Sequence, residues 1–336
     1  MECVIVQLVY QNEGESMSWY RITIFIPFSS VLFACDGEKN TENITTEESV
    51  VSTGSVRFVV LGDAGVGDEM QYTVADAMET ICTERGCDFA LYLGDNFYEV
   101  GVDGVEDIQF VDKFENPYSN LDFPFYAVLG NHDYGGLGHD QEKAEPQVEY
   151  TEFSDKWWMP DRYYSHTQEH IAFVGLDTNA ILWNDQWGGV EAQAQWVQDE
   201  LESANTLWKI AYGHHPYISN GEHGVAGQYD GLENVPIASG TDFKVFVEDN
   251  LCGKVDIYFS GHDHDMQWLE PQCGVEFIVS GAGAKQRARQ GWDVPTKFEQ
   301  FNDNGFLWVE IVDNQLFGRF YDSQGQLLYS EEITKE

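Results

Sequence analysis

Polar residues of the kinds that bind metal ions follow five apolar segments of this 336-residue chain, and a glycine directly precedes the first of them at each place. The residues are Asp63, Asp95, Asn131, His214, and the pair His262 and His264. One such residue after an apolar run usually belongs to a turn, whereas five such endings are hard to explain by turn chemistry alone. Carboxylate, amide and imidazole groups suit hard-to-borderline cations. They are more numerous than one tetrahedral metal requires, so we expect two metals bridged by a carboxylate.

The elements that must position these residues are predicted to be β-strands. Each run before a candidate ligand is nearly continuous in apolar and β-branched residues, which is typical of strands covered on both faces. Apolar residues recur at helical spacing in residues 70–85 and 190–204. Strands that alternate with helices predict an α/β domain, in which sites form at the carboxyl ends of strands. After residue 305 the pattern alternates like an antiparallel meander, with turns at 313–314 and 323–325.

As a set, the motifs resemble those of the purple acid phosphatases, within the calcineurin-like metallophosphoesterases, and are most similar to the small, tartrate-resistant type. The motifs are Asp63-Ala64-Gly65, Gly94-Asp95-Asn96-Phe97-Tyr98, Gly130-Asn131-His132, Gly213-His214 and Gly261-His262-Asp263-His264. The resemblance covers about residues 56–334. It implies an α/β fold, namely a four-layer sandwich of two mixed β-sheets flanked by helices.

Tyr98 distinguishes this chain from the sister phosphodiesterases. Their first motif is usually Asp-x-His, in which the histidine binds a metal, but the corresponding residue here is Gly65. Tyr98 resembles a replacement for that ligand. A phenolate is a hard anionic oxygen donor, so it favours ferric iron over a divalent ion. The alternative is a tyrosine that only packs beneath the turn.

The resemblance implies a ligand set for two metals. The ferric site would comprise Asp63, Asp95, Tyr98 and His264. The second site, for iron, zinc or manganese, would comprise Asp95, Asn131, His214 and His262. Asp95 would bridge the two metals.

The function implied by this set is hydrolysis of phosphate monoesters by attack of a metal-activated hydroxide on phosphorus. Because ferric iron acidifies bound water more than a divalent ion does, activity should extend to acid pH. His132 and His223 match the family's outer histidines, which would bind phosphate oxygens or donate a proton to the leaving group. The alternative role for these two is support of the site without proton transfer.

Two rival functions remain open at the level of sequence. Within enzymes, the rival is a phosphodiesterase or nucleotidase that uses divalent metals, and the pair of Gly65 with Tyr98 argues against it. From another class, the chain could be a surface lipoprotein that binds metal or phosphate without turnover. The full ligand set with His132 and His223 argues against that reading.

The charge balance excludes one class of partner. The chain has 17 Lys and Arg against 58 Asp and Glu, a net charge of −41 at pH 7. Such a surface repels nucleic acid and anionic lipid headgroups. We therefore expect no nucleic-acid partner, and membrane association only through an N-terminal lipid anchor. The expected substrate is a phosphate monoester and the expected state is a monomer.

Residues 1–35 are predicted to be a signal or lipoprotein leader, with Met17 as an alternative start. Residues 22–34 are mostly apolar, too few for a comfortable membrane span, and precede Cys35 in a sequence that resembles a lipoprotein cleavage box. The alternative is an ordinary signal peptide. Residues 36–55 are predicted to be a flexible linker and 56–336 one catalytic domain. The protein would then be exported, as a periplasmic or cell-surface lipoprotein or in secreted form.

Four cysteines lie outside the leader, and an even number in an exported domain suggests disulfides. Proximity in the sequence favours Cys82–Cys87 and Cys252–Cys273, although four cysteines allow three pairings. A four-cysteine zinc site is the rival, but no C-x-x-C spacing supports it.

Three further histidines are expected to lie in contact with solvent. His166 and His170 fall in a stretch that is predicted to be a polar loop. His215, beside His214, receives no role and is expected at the surface.

Overall fold

The computed structural model describes residues 54–135, 138–183, 189–232 and 235–336. Residues Val51–Glu336 form one compact unit. The predicted leader, including Met17 and Cys35, and nearly all of the predicted linker lie outside the described residues. Those expectations therefore stay predictions. Within the described part of the chain, no helix is both long enough and apolar enough to span a lipid bilayer.

In the part of the chain that the structure describes, fourteen strands form two mixed sheets of seven strands each. In chain order they are β1 (Val56–Leu61), β2 (Phe89–Tyr92), β3 (Phe125–Ala127), β4 (Trp157–Trp158), β5 (Tyr164–Gln168), β6 (Ile171–Gly175), β7 (Trp208–Tyr212), β8 (Ile257–Ser260), β9 (Met266–Leu269), β10 (Glu276–Ser280), β11 (Thr296–Gln300), β12 (Gly305–Val312), β13 (Gln315–Asp322) and β14 (Leu327–Thr334). The first sheet has the order β14-β13-β12-β1-β2-β3-β4 and the second β11-β9-β10-β8-β7-β6-β5.

The parallel strands form one side of the first sheet, out to its edge at β4, and the middle of the second sheet. In the first sheet β1, β2, β3 and β4 run parallel, and the antiparallel meander β12-β13-β14 continues it beside β1. In the second sheet β6, β7, β8 and β10 run parallel, with antiparallel strands outside them. The predicted meander is confirmed, including its turns at 313–314 and 323–325. Since parallel strands end at the same edge of a sheet, residues that follow them are brought together.

Helices cover the sheets. In chain order they are α1 (Glu69–Arg85), α2 (Ile108–Phe110), α3 (Gln141–Glu149), α4 (Thr178–Leu182), α5 (Val190–Ser203), α6 (Pro236–Ser239) and α7 (Thr241–Asn250). A π-helical turn, Val111–Glu115, follows α2 directly. The helices predicted over 70–85 and 190–204 are confirmed as α1 and α5. Helix α1 begins after Asp68, whose carboxylate accepts from the backbone amides of Met70 and Gln71, two donors of the first turn that have no partner within the helix.

The two sheets pack face to face through aromatic side chains. Phe58 of β1 lies edge-on to Phe173 of β6, with 5.5 Å between the ring centroids, and to Phe259 of β8 at 6.2 Å. On the other face of the second sheet, Val197 of α5 and Phe243 of α7 are fully buried in a separate apolar cluster. The predicted four-layer α/β sandwich is therefore confirmed.

Both disulfides favoured by sequence proximity are present, Cys82–Cys87 and Cys252–Cys273. The first closes the end of α1, where Gly86 ends the helix with a φ of 84°. These pairings exclude the four-cysteine zinc site.

The expectation for His166 and His170 is wrong. His166 lies in β5, and its ring stacks between those of Tyr126 and Phe173 at 3.8 Å and 4.8 Å. His170 is 8% exposed. For His166, polar neighbours in sequence suggested a loop, but alternation along the edge strand β5 turns its ring toward the sheet interface. His170 does lie in the turn that follows β5, but it is buried there.

Candidate active site

The candidate ligands all lie where strands of the two sheets end. Asp63, Asp95 and Asn131 follow β1, β2 and β3, while His214 and His262 follow β7 and β8. Backbone hydrogen bonds join the two sheets at this edge. The amide of Gly62 donates to the carbonyl oxygen of Ser280 over 2.8 Å, and that of Gly283 donates to Gly62 over 3.1 Å. These bonds hold the carboxyl ends of the strands of the two sheets side by side, so side chains from both sheets contribute to one site.

Three candidate ligands have a backbone conformation that residues other than glycine rarely adopt. The φ angles are 58° at Asp63, 53° at Asp95 and 68° at His262. A left-handed residue of this kind costs of order 1–3 kcal/mol and persists only where the surrounding structure determines it. The tight turns aim the side chains back across the strand ends, into the site.

The first cluster joins Asp63, Tyr98 and His264. The hydroxyl of Tyr98 donates to Oδ1 of Asp63 at 3.0 Å and lies 3.1 Å from Nε2 of His264. All three side chains are buried, each with at most 4% of the residue exposed. Burial, together with the carboxylates of Asp63 and Asp95, raises the pKa of Tyr98 well above its ordinary value. A phenolate at this point therefore requires a cation that outweighs the two carboxylates.

The second cluster centres on His214. Its Nδ1 lies 2.8 Å from the carbonyl oxygen of Leu93 and donates to it. Its Nε2 faces Oδ1 of Asn131 at 3.1 Å, Nδ1 of His262 at 3.1 Å and Oδ1 of Asp95 at 3.4 Å. Acceptor atoms that converge in this way are stabilised by a positive charge. Burial opposes protonation of His214, but Asp95 and Asp63 raise its pKa, so the site attracts a cation.

Asp95 lies between the two clusters. One ligand atom from each of Asp63, Asp95 and His214 lies within 4.8 Å of the others, so the clusters form one continuous group. The buried oxygen and nitrogen donors fit the two-cation arrangement expected from the sequence. The structure thus brings all seven predicted metal ligands into one site.

Comparison with known proteins agrees with this geometry. Residues 56–266 match the family model for calcineurin-like phosphoesterases. Purple acid phosphatase 4 of Arabidopsis thaliana is 31% identical, over 94% of this chain and 93% of that protein. The chain belongs to the purple acid phosphatases. It is accordingly an acid phosphatase with a dinuclear metal centre.

Other relatives support the assignment of this phosphatase. Tartrate-resistant acid phosphatase type 5 of Sus scrofa is 27% identical, over 95% of this chain and 97% of that protein. Two solved structures share the fold. GAP50, the anchor in the inner membrane complex of Plasmodium, has a TM-score of 0.68 at 23% identity, over 84% of this chain and 89% of that one. Purple acid phosphatase PPD1 from yellow lupin has a TM-score of 0.61 at 18% identity, over 84% and 54%.

The two predicted outer histidines lie on opposite sides of the phosphatase site. The ring of His132 lies beside that of Tyr98, with 4.5 Å between the centroids, and its backbone amide donates to Asp95 over 2.9 Å. The ring of His223 stacks on that of His262 at 4.0 Å. Both residues are partly exposed, so both can reach a substrate that enters from solvent.

The structure corrects the expectation for His215. This residue is 3% exposed, and its Nδ1 lies 2.8 Å from the hydroxyl of Thr178. Burial and the neighbouring His214 hold its pKa well below the ordinary value, so the ring is neutral. One ring nitrogen lies within 4.8 Å of ligand atoms of His214 and His262.

Two buried carboxylates that support the phosphatase site were missed from sequence. Asp133 accepts hydrogen bonds from the backbone amides of Asn96, Phe97 and Gly130, which ties the loop after β2 to the loop after β3. Asp263 accepts from the amide of His223 over 2.8 Å. The only sequence signal was their place inside the Gly-Asn-His-Asp and Gly-His-Asp-His motifs, beside the candidate ligands.

Proposed function

We propose that this protein hydrolyses phosphate monoesters at acid pH with a centre of ferric iron and one divalent metal. The observation that carries the proposal is the position of the Tyr98 hydroxyl, within hydrogen-bonding distance of both Asp63 and His264. The proposed ferric ligands are Asp63, Asp95, Tyr98 and His264. The proposed ligands of the second metal, which is iron, zinc or manganese, are Asp95, Asn131, His214 and His262.

The donor types support two unlike metals. Asp63 and Tyr98 offer anionic oxygen atoms to the ferric site, whereas Asn131 offers a neutral oxygen and His214 and His262 offer neutral nitrogens to the other site. When bound, the metals supply Lewis acidity at the ester and an acidified water as the nucleophile. The carbonyl oxygen of Leu93 holds the His214 ring so that Nε2 faces the site.

The outer histidines contact the phosphoryl group in this proposal. His132 is held through Nδ1, which lies 2.6 Å from the carbonyl oxygen of Glu99, so its other nitrogen is free to face a phosphate oxygen. His223 lies on the opposite side, against His262. Together they bracket the substrate and place either ring near the leaving-group oxygen.

We also propose export of the protein, either anchored by a lipid at Cys35 or secreted, as a monomer without nucleic-acid partners. The two disulfides support export, because disulfides persist in oxidising compartments. The net charge of −41 supports the lack of nucleic-acid partners. Membrane fractionation of cells that express the full chain or Cys35→Ala tests the anchor. Loss of the protein from the membrane fraction in the variant is expected, and its retention there would contradict a lipid at Cys35.

The decisive experiment is a visible absorption spectrum of the purified full chain, with metal analysis and assays of a phosphate monoester and a diester. We expect a purple or pink band that disappears in Tyr98→Phe while it persists in Tyr118→Phe, a control at another buried tyrosine. A colourless protein that holds two divalent metals and prefers the diester would replace the proposal with a phosphodiesterase.

A further inference from the structure

Arg287 is a cation at the proposed substrate site that no motif singled out. Its Nη1 lies 3.1 Å from Nε2 of His223 and forms a salt bridge with Glu222. Its backbone amide donates to the carbonyl oxygen of His264 over 3.0 Å. Because His223 stacks on His262, a single imidazole ring separates the guanidinium from a proposed metal ligand.

The contacts of His223 define what Arg287 does to it. Nδ1 lies 2.9 Å from Oδ1 of Asp230. A guanidinium has only donors, so Nε2 accepts from Arg287 and Nδ1 carries the proton that is donated to Asp230. The backbone amide is fixed separately by Asp263. The ring is therefore held in place without Arg287, whose bond to Nε2 can be exchanged for one to a substrate.

The guanidinium has donors to spare. Among the residues that the structure describes, the partners of the Arg287 side chain, Glu222 and His223, both contact Nη1. Nε and Nη2 are then available to an anion, and the planar fork matches two phosphate oxygens. The side chains of Arg287 and Glu222 are 37% and 42% exposed, and an ion pair so open to solvent contributes little.

The surrounding charge makes this cation unusual. The whole chain carries only 17 Lys and Arg, yet Lys285, two residues before Arg287, lies 3.5 Å from the ring centroid of Tyr98. Residues 285–287 thus bring one cation to each side of the site. Each of these cations faces a carboxylate, Lys285 that of Glu99 at 3.2 Å and Arg287 that of Glu222, so a phosphate dianion competes with a glutamate for either of them.

We propose that Arg287 binds the phosphate group of the substrate and that Glu222 occupies its guanidinium until substrate displaces it. The inference rests on the proposed phosphatase function and adds a specific pair of residues to it. Glu222 then competes with substrate, so the two residues have opposite effects on phosphate affinity.

The test measures inorganic phosphate binding to the metal-loaded full chain by calorimetry, together with kcat and KM for a phosphate monoester. Arg287→Gln should weaken phosphate binding and raise KM by about 10- to 100-fold, the equivalent of one lost charge-assisted hydrogen bond. Arg287→Lys should recover only part of this, because lysine cannot form the planar fork. Glu222→Gln should tighten phosphate binding severalfold.

The double variant of Arg287 and Glu222 shows whether Glu222 and phosphate compete for the guanidinium, or whether the two residues only stabilise the local structure. In the Arg287→Gln background, Glu222→Gln should tighten phosphate binding much less, because only the repulsion between its carboxylate and phosphate is then removed. The matched control is Arg289→Gln, on the same segment and with the same loss of charge, where the arginine pairs with Glu299 at 2.8 Å. Equal effects of Arg287→Gln and Arg289→Gln, or an unchanged effect of Glu222→Gln in the double variant, would overturn the inference.

The outcome also distinguishes this inference from the proposed function. Phosphate binding that depends on Arg287 in a protein without turnover would overturn only the phosphatase proposal. Turnover that is indifferent to Arg287 would overturn only the inference.

Discussion

The backbone amide of Tyr98 donates a hydrogen bond to the carbonyl oxygen of Gly65 over 2.9 Å. A Cβ at position 65 would lie 1.9 Å from the carbonyl oxygen of Asn96, so no side chain fits between the two segments. The segment that carries Tyr98 into the site therefore fills the space that a histidine at position 65 would need. Gly65 and Tyr98 therefore depend on each other, because the segment that carries Tyr98 can lie here only when residue 65 has no side chain.

The contact predicts that even a methyl group at position 65 is not tolerated. Gly65→Ala must push the Asn96 backbone away and Tyr98 with it. We expect a loss of about 1–3 kcal/mol in the free energy of unfolding, and a weaker visible band at equal iron content. Thermal unfolding and absorption spectroscopy measure the two effects.

Gly104→Ala is the matched control for this change, because a Cβ there meets no atom within 4 Å. It should leave stability and colour unchanged. A Gly65→Ala protein with the colour and stability of the wild type would show that the two segments are not coupled.

Asn131 tests whether the site turns over substrate or only binds it. Its Oδ1 lies 3.1 Å from Nε2 of His214, in the proposed second metal site. Asn131→Ala removes a neutral oxygen ligand. We expect kcat/KM for a phosphate monoester to fall by about 100-fold, which is the size of loss seen when a residue that orients a metal ligand is replaced. A non-catalytic lipoprotein would have no rate to lose.

The control for Asn131 is Asn120→Ala, whose side chain is exposed and bonds Glu79 at the surface. It should retain full activity. Equal rates in Asn131→Ala and the wild type, at equal metal content, would remove Asn131 from the ligand set.

The fold and the ligand positions were predictable because each strand is a continuous apolar run that ends abruptly. The runs before Asp63, Asp95 and His214 are buried on both faces, as their composition predicts. The two helices and the meander were also predictable from local sequence, because apolar residues recur every three to four residues in a helix and every second residue in a strand. Short connections in sequence likewise favoured the correct disulfides.

The support of the site was not predictable in the same way. The hydrogen bonds of Asp133 reach residues more than 30 positions earlier, and they exist only after β2 and β3 have paired. Arg287 likewise reaches His223 only because the loop after β10 folds across the strand ends. The burial of His215 and of the ring nitrogens of His166 depends on which side chains cover them, and a polar sequence neighbourhood does not reveal that.

The hydrogen bonds of Asp133 predict the effect of replacing this buried carboxylate with a neutral amide. Burial raises its pKa to about 6, and repulsion by Asp95 adds to the effect. Asp133→Asn would turn an amide NH₂ group toward backbone donors of Asn96, Phe97 or Gly130. At least one buried amide then loses its acceptor, which costs about 1–3 kcal/mol.

The measurement for Asp133→Asn is urea unfolding, with the exposed Asp112→Asn as the control for the same chemical change. We also expect reduced iron content in Asp133→Asn, since the loops that carry Asp95 and Asn131 are no longer tied together. Unchanged stability and metal content in both variants would mean that these loops are held by other contacts.

His166 predicts how stability responds to acid. Burial between two aromatic rings lowers its pKa to about 3, and neither ring nitrogen has a hydrogen-bond partner within the described residues. In the unfolded chain its pKa is about 6.5. Between pH 3 and pH 6.5 the folded state therefore binds fewer protons at His166 than the unfolded state does. The free energy of unfolding is unaffected by this group above pH 6.5, and it decreases as the pH falls toward 3.

His166→Phe should remove this loss, because a phenyl ring fits the same stack on Tyr126 and Phe173 and gives up no hydrogen bond. At pH 5 the gain in unfolding free energy should be about 2 kcal/mol, at about 1.4 kcal/mol per pH unit below 6.5, and at pH 8 this contribution should be absent. Urea unfolding at both pH values measures it, with the exposed His139→Phe as the control. The same gain at both pH values would reflect apolar packing alone and would contradict a neutral, buried His166.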